Sequence, residues 1–198
     1  MALILTGYAL VFVDISVSFG VHVIDFAPDF IGYILLIAGF SQLMSESGRL
    51  KKLRGFATFM VLYSAAVFLL DALGLTVVGM GAAKGFIDVA AFFVPLYLVF
   101  VFIYAVRDIE IDRHAALGHK ALLKAFTPLA VTQSLAFVFS VAFADLPYVA
   151  SIVASVFALV FLFFLWRTKT AYAKLPPKDN GSTSGEEDKK KTIWEQYN

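Results

Sequence analysis

Six apolar stretches make up most of this 198-residue chain, and they constrain its fold more than any other feature. A helix needs about 20 largely apolar residues to cross the hydrocarbon core of a membrane. Because backbone groups in hydrocarbon must pair internally, we expect each stretch to be a helix. The expected spans are residues 3–22, 29–45, 56–78, 87–106, 122–143 and 148–166.

The composition agrees with this pattern. Hydrophobic residues make up 60% of the chain and charged residues 16%, whereas soluble domains average about 45–50% and about 25%. These values argue against a soluble, a disordered or a nucleic-acid-binding protein. We therefore predict an all-α, polytopic membrane helix bundle of six transmembrane helices, with the lipid bilayer as its main partner.

The lysines and arginines predict the orientation of this bundle. Fifteen of the sixteen flank the same side of the expected spans, in loops 46–55 and 107–121, early in the fifth span and after residue 166, and only Lys84 lies on the other side. Basic residues are enriched in cytoplasmic loops. We expect both termini in the cytoplasm and place the protein in a bacterial inner membrane, with residues 1–174 as its transmembrane domain.

Residues 175–198 have a different composition, rich in Pro, Gly, Ser and charge. Such a segment buries too little apolar surface to fold, so we predict a disordered cytoplasmic tail. The tail ends in TIWEQYN. This end is either a docking motif for a protein partner or an unstructured terminus with two incidental aromatic residues.

Polar residues of the first expected span recur at a helical period. Asp14, Ser18, His22 and Asp25 stand at i, i+4, i+8 and i+11, which places them on one narrow helix face. An ionised aspartate in hydrocarbon costs about 2.5–3.5 kcal/mol on insertion scales. The pattern therefore predicts a polar stripe that faces the bundle interior or a wet cavity and runs to the outer surface.

Two further acids belong to the same predicted site. Asp29 follows Pro28 at the start of the second span, and Asp71 lies in the outer third of the third span. Together with the stripe they predict an outward-open acidic vestibule that binds a cation, passes protons or accepts a basic group. In the alternative interpretation the surface acids are only solvated, while Asp14 and Asp71 bond neighbouring hydroxyl groups and hold helices together.

Two other features concern packing. Gln133, near the middle of the fifth span, is a further candidate for ligand or ion binding, although a hydrogen bond between helices is the simpler role. Gly32 and Gly39 stand one heptad apart in the second span. Their spacing predicts a stripe of small residues along which another helix packs closely.

Sequence signatures of catalysis are missing. The chain has no cysteine and only three histidines, and it contains no nucleophile elbow, zinc-protease, phosphate-loop or dinucleotide motif. His114 and His119 stand five residues apart rather than at the i, i+4 spacing that shares a helix face. We predict no enzymatic activity, no cofactor and no metal, and we interpret the charged 107–121 loop as solvated and stabilised by local ion pairs.

One segment of the chain resembles part of other membrane proteins: residues 23–43, VIDFAPDFIGYILLIAGFSQL. The run Pro28 to Tyr33 resembles an element that follows the first span in a family of uncharacterised bacterial multi-pass membrane proteins. The length and expected span count are also similar to those of the substrate-binding components of energy-coupling-factor vitamin transporters, which have an outward-facing pocket. Two hypotheses follow: a component of a small-solute or cation transporter, or a non-transporting scaffold that acts through its cytoplasmic loops and tail.

Overall fold

The computed structural model describes residues 1–12, 16–19, 22–25, 28–72, 81–142 and 147–176. These residues form six helices and one two-stranded antiparallel hairpin, so the predicted helical class is confirmed. In chain order the elements are α1 (Ala2–Phe12), β1 (Ser16–Phe19), β2 (His22–Asp25), α2 (Asp29–Gln42), α3 (Arg49–Ala72), α4 (Gly81–Arg113), α5 (His119–Ala142) and α6 (Pro147–Tyr172).

The last four helices, α3 to α6, are long and apolar enough to cross a membrane, judged by length and composition. They also turn large apolar side chains outward. On α6 the exposed positions Ile152, Val156, Leu159 and Phe163 follow one another at intervals of four, three and four residues. Because soluble proteins rarely expose contiguous apolar surfaces of this kind, the stripe indicates a membrane protein.

The first two helices are too short for this role. Helix α1 has 11 residues and α2 has 14, which at 1.5 Å per residue correspond to about 17 Å and about 21 Å against a hydrocarbon core of about 30 Å. The prediction of one continuous helix over residues 3–22 is wrong, because α1 ends at Phe12 and two strands follow. The expected number of six spanning helices is not confirmed.

A second periodicity in the sequence explains the error. From Ser16 to Asp25 polar and apolar residues largely alternate, and Val and Ile are frequent; both features favour a strand over a helix. The two strands pair with Ser16 opposite Asp25 and Phe19 opposite His22. Only Gly20 and Val21 separate the paired segments, which is a spacing typical of a hairpin.

The helices pack in chain order around a core of aromatic side chains, and α1 closes the arrangement by contacting α6. Tyr8 of α1 lies at the centre, with its ring centroid 5.9 Å from that of Phe102 on α4 and 6.3 Å from that of Phe161 on α6. Phe40 of α2 and Phe126 of α5 extend this cluster. The bundle interior is therefore filled with rings, and all but one of its six helices contribute to this cluster.

Glycines bring α1 and α2 into backbone contact. A Cβ atom added to Gly32 would lie 2.9 Å from the carbonyl oxygen of Gly7, and one added to Gly39 would lie 2.4 Å from Cγ1 of Ile4. Both distances are too short for a side chain to be accommodated without movement. The small-residue stripe predicted on the second helix is confirmed, and it holds α1 antiparallel to α2.

This close approach predicts the effect of enlarging a glycine. We expect Gly32→Ala to destabilise the purified protein by about 1–3 kcal/mol, because the new methyl group overpacks against backbone that cannot turn away. Gly55→Ala is the matched control, since a Cβ at Gly55 meets nothing within 4 Å, and in a helix it should be neutral or stabilise by up to about 1 kcal/mol. Equal unfolding midpoints for the two variants would contradict the contact.

Candidate functional site

The helix pairs define two ends of the bundle. At one end α1 finishes and α2 begins. The start of α2 lies beside the last turns of α3, as shown by the distance of 5.7 Å between the ring centroids of Phe30 and Phe68. We call this the acidic end, since Asp29 and Asp71 stand there in sequence. At the other, basic end lie the start of α3, the end of α4, the start of α5 and the end of α6.

The structure brings part of the predicted acidic site together. Asp29 occupies the first turn of α2 and is exposed, and an acid at that position interacts favourably with the helix dipole. Asp71 lies one turn after Phe68 near the end of α3, at the same level of the bundle. Asp25 ends β2, four residues before Asp29. The backbone positions of Asp29 and Asp71 therefore lie at the same level of the acidic end, and Asp25 is close to Asp29 in sequence.

Other parts of the predicted site lie outside the description. Asp14 falls in a gap between described residues, and for Ser18, His22, Asp25 and Asp71 the structure describes the backbone and not the side chain. The single helical face proposed for the first four of these residues is wrong, because Ser18 belongs to β1 and His22 and Asp25 to β2. In the paired strands Ser18 stands opposite Val23, His22 opposite Phe19 and Asp25 opposite Ser16.

Gln133 does not join these acids. It is half-buried on α5, and α5 packs mainly against α4 and α6 rather than beside α2 and α3. The stacked rings of Phe92 and Phe137, 4.5 Å apart, fix this part of α5 against α4. The position of Gln133 suits a contact between those helices better than a contribution to the acidic end.

A series of tyrosines leads inward from the acidic end. Tyr33 stands one turn after Asp29 on α2, is buried, and lies within electrostatic range of Asp29 and of Tyr63 on α3. Tyr8 is fully buried and interacts electrostatically with Tyr33. The Tyr8 hydroxyl makes no hydrogen bond within the described residues, which is unusual for a buried polar group. Polar atoms thus reach from the exposed Asp29 into the aromatic core.

The basic end is closed by a buried ion pair that sequence reasoning missed. Arg113 at the end of α4 binds Glu46 through two parallel hydrogen bonds, Nη2 to Oε1 at 2.5 Å and Nε to Oε2 at 3.0 Å. The Glu46 side chain is 7% exposed and that of Arg113 is 14% exposed. The Nη1 atom of Arg113 also donates to the carbonyl of Pro176. One guanidinium therefore joins the α2–α3 turn, α4 and the segment after α6.

A second ion pair at this end joins α3 to α4. Arg49 Nε donates to Asp108 Oδ2 at 2.8 Å, and the Ser47 hydroxyl donates to the same oxygen at 3.0 Å. Both partners are only partly covered, with the Arg49 side chain 53% exposed. Because exposed pairs of this kind contribute little to stability, we regard its main effect as fixing the direction of the Arg49 side chain.

The α4–α5 loop is held by Glu110. Its carboxylate accepts hydrogen bonds from the backbone N–H groups of Gly118 and His119 and pairs with His119 Nδ1. Gly118 adopts a φ of +93° and His114 one of +47°, left-handed conformations that turn the chain between the two helices. This contact is local, as predicted for the loop, whereas the Glu46–Arg113 and Arg49–Asp108 pairs span 67 and 59 residues.

Met1 and the last described residues after α6 also lie at the basic end. Burial lowers the pKa of the Met1 α-amino group below its usual range, and the positive charge of Lys169 on α6 lowers it further. Leu175 packs against the hydrophobic core, so the first residues of the segment predicted as tail belong to the folded domain. Residues 177–198 lie outside the described part of the chain.

Neither end forms a metal site within the described ranges, where no group of three or more His, Cys, Asp or Glu side chains is placed to hold an ion. Comparison with protein families, characterised proteins and solved structures finds no match to this chain. The resemblances drawn from residues 23–43 and from the span count therefore stay predictions. The candidate site is the acidic end, and its chemistry must be argued from its own residues.

The Glu46–Arg113 pair predicts a response to charge reversal. We expect Glu46→Arg and Arg113→Glu each to lower the melting temperature of the detergent-purified protein, because each buries two like charges together. The double variant restores opposite charges and should recover much of the loss. Arg49→Gln, at the exposed pair, should have a much smaller effect. Single reversals as mild as Arg49→Gln, or a double variant no better than the singles, would show that the pair does not hold this end.

Proposed function

We propose that this chain is a multi-pass protein of the bacterial inner membrane whose acidic end faces outward and binds a small cation or cationic solute, as a component of a transport system. The observation that carries the proposal is the break in the helical backbone between α1 and α2. Between these two helices the chain forms the paired strands β1 and β2 in place of a continuous helix. No enzymatic step is part of the proposal.

The depth of this break supports the proposal. Counted from Gly55, the first residue of the charge-free part of α3, Phe68 lies about 20 Å along the helix. Phe30 contacts Phe68, so α2 begins about two-thirds of the way across a core of about 30 Å. Non-helical backbone at that depth is tolerated where protein buries it or where it lines a water-filled cavity.

Charge supports the outward orientation. Among the described ranges, eleven of the twelve lysines and arginines lie in the outermost turns at the basic end, and Lys84 is the exception. The basic end then faces the cytoplasm and the acidic end faces outward. With Asp29 and Asp71 at this end, and Asp14 and Asp25 in the sequence between α1 and α2, the acidic end favours positively charged ligands. Placing an acid at such depth is costly unless the site is wet or the charge is used.

A thermal stability assay tests this function. We expect mono- or divalent cations to raise the melting temperature of the wild-type protein at constant ionic strength, because a ligand at 100 times its Kd adds about 2.7 kcal/mol of stability. Asp14→Asn and Asp71→Asn should each lose this response. Asp112→Asn is the matched control, an exposed acid at the basic end, and should keep it. Identical responses in all four proteins would refute cation binding at the acidic end.

The alternative function is a scaffold that acts through its cytoplasmic surface. The ion pairs at the basic end favour this alternative. The Glu46–Arg113 and Glu110–His119 pairs hold the turns between helices in fixed positions, which suits a docking surface. Removing residues 177–198 separates the two functions. Loss of cellular function with an intact cation response would indicate docking through the tail, whereas loss of function in Asp14→Asn alone would indicate the acidic end.

A further inference from the structure

A groove on the outer surface of the bundle runs between α3 and α4, from the basic end towards the middle. We call it the α3–α4 groove and define it by Arg49, Lys52 and Phe56 on one side of α3 and by Tyr97, Phe100 and Tyr104 on one side of α4. One ring contact shows that these helices meet along it, Phe56 of α3 with Tyr97 of α4 at 5.1 Å. A second contact, Phe100 with Tyr104 at 4.9 Å, continues the aromatic surface along α4. The Phe100 ring also lies 6.2 Å from that of Phe126 on α5. Phe56, Tyr97 and Phe100 are each more than two-fifths exposed.

Arg49 is held at the basic end of this groove. Its Nε donates to Asp108, and its guanidinium carbon lies 5.8 Å from the centroid of the Tyr104 ring, within range for a cation–π interaction. Of the basic side chains in the described residues, Arg49 is the one that contacts both a carboxylate and an aromatic ring. Because the bond to Asp108 uses Nε, the two Nη groups remain to donate to a further acceptor. A guanidinium fixed in this way loses little freedom on binding phosphate.

Two more cations flank Arg49. Lys52 stands three residues later on α3 and is exposed, and Arg107 stands three residues after Tyr104 on α4 and is also exposed. At i, i+3 spacing each lies on the same side of its helix as the residue before it. Asp108 offsets one charge and leaves the basic end of the groove positive. Phe56 lies about 10 Å further along α3 than Arg49, so the aromatic part begins where the positive part ends.

This arrangement matches one kind of ligand. A phosphate group binds the cations but not the aromatic rings. An acyl chain packs against the rings but does not bind the cations. We propose that the α3–α4 groove binds an anionic phospholipid, with its headgroup phosphate at Arg49, Lys52 and Arg107 and an acyl chain along Phe56, Tyr97 and Phe100. Basic sites between helices on the cytoplasmic side are a physical basis for selecting anionic lipids.

Titration of the delipidated, detergent-purified full-length protein with lipid tests the site, with bound lipid counted by native mass spectrometry. Phosphatidylglycerol should bind more tightly than phosphatidylcholine of the same acyl chains. Lys52→Gln should weaken phosphatidylglycerol binding about fivefold, and Lys52→Gln with Arg107→Gln about 25-fold, since each basic residue near an anionic headgroup contributes about this factor. Neither side chain takes part in the ion pairs described above, so both variants should fold.

Lys51→Gln is the matched control. Lys51 is exposed and carries the same charge one residue away, but 100° of rotation turns it from the groove. We expect no change in phosphatidylglycerol affinity for this variant. An equal loss in Lys51→Gln and Lys52→Gln would reduce the effect to diffuse surface charge and overturn the proposal. Equal affinity for the two lipids would also overturn it, as would inorganic phosphate displacing phosphatidylglycerol at millimolar concentration, since the acyl chain would then be irrelevant.

Discussion

The free-energy cost of placing a charge in hydrocarbon explains where most charged residues of this chain lie. Residues 55–70, 89–106, 125–142 and 152–166 contain no Asp, Glu, Lys, Arg or His, and these are the central parts of the four long helices. Charges are therefore confined to the helix ends, where they pair with one another or meet water. The bias of Lys and Arg towards one side then makes one end basic and the other acidic, and both proposed binding sites depend on this separation.

The two ends differ in how their polar groups are used. At the basic end the Glu46–Arg113 pair joins elements that are distant in sequence, and the Glu110 contacts hold the α4–α5 loop. Below the acidic end the close approach of Gly7 and Gly32 sets α1 against α2, and the aromatic core fills the space between the helices. The basic end is held by ion pairs, and the helical backbone is interrupted between α1 and α2. From this arrangement we infer ligand binding at the acidic end.

Sequence reasoning predicted the existence of the four long helices, because a charge-free apolar run of 15 residues or more has few other structures open to it. It placed both ends of α5 and the start of α6 to within three residues, whereas the other five ends differ by six or seven residues. It failed between Ser16 and Asp25, where hydropathy alone does not distinguish a helix from an alternating strand. It also missed the Glu46–Arg113 pair, since a contact across 67 residues leaves no trace in local spacing. The packing role of Gly32 and Gly39 was predictable because small-residue spacing is a local signal.

The orientation of the bundle underlies the proposed function, and cysteine accessibility measures it directly because the chain has no native cysteine. Single cysteines at positions 48 and 116, both exposed at the basic end, and at position 82, near the start of α4, would be treated with a membrane-impermeant thiol reagent. We predict that position 82 is labelled in intact cells, while positions 48 and 116 are labelled only after the membrane is permeabilised. Labelling of position 48 or 116 in intact cells, with position 82 protected, would invert the bundle and contradict the account.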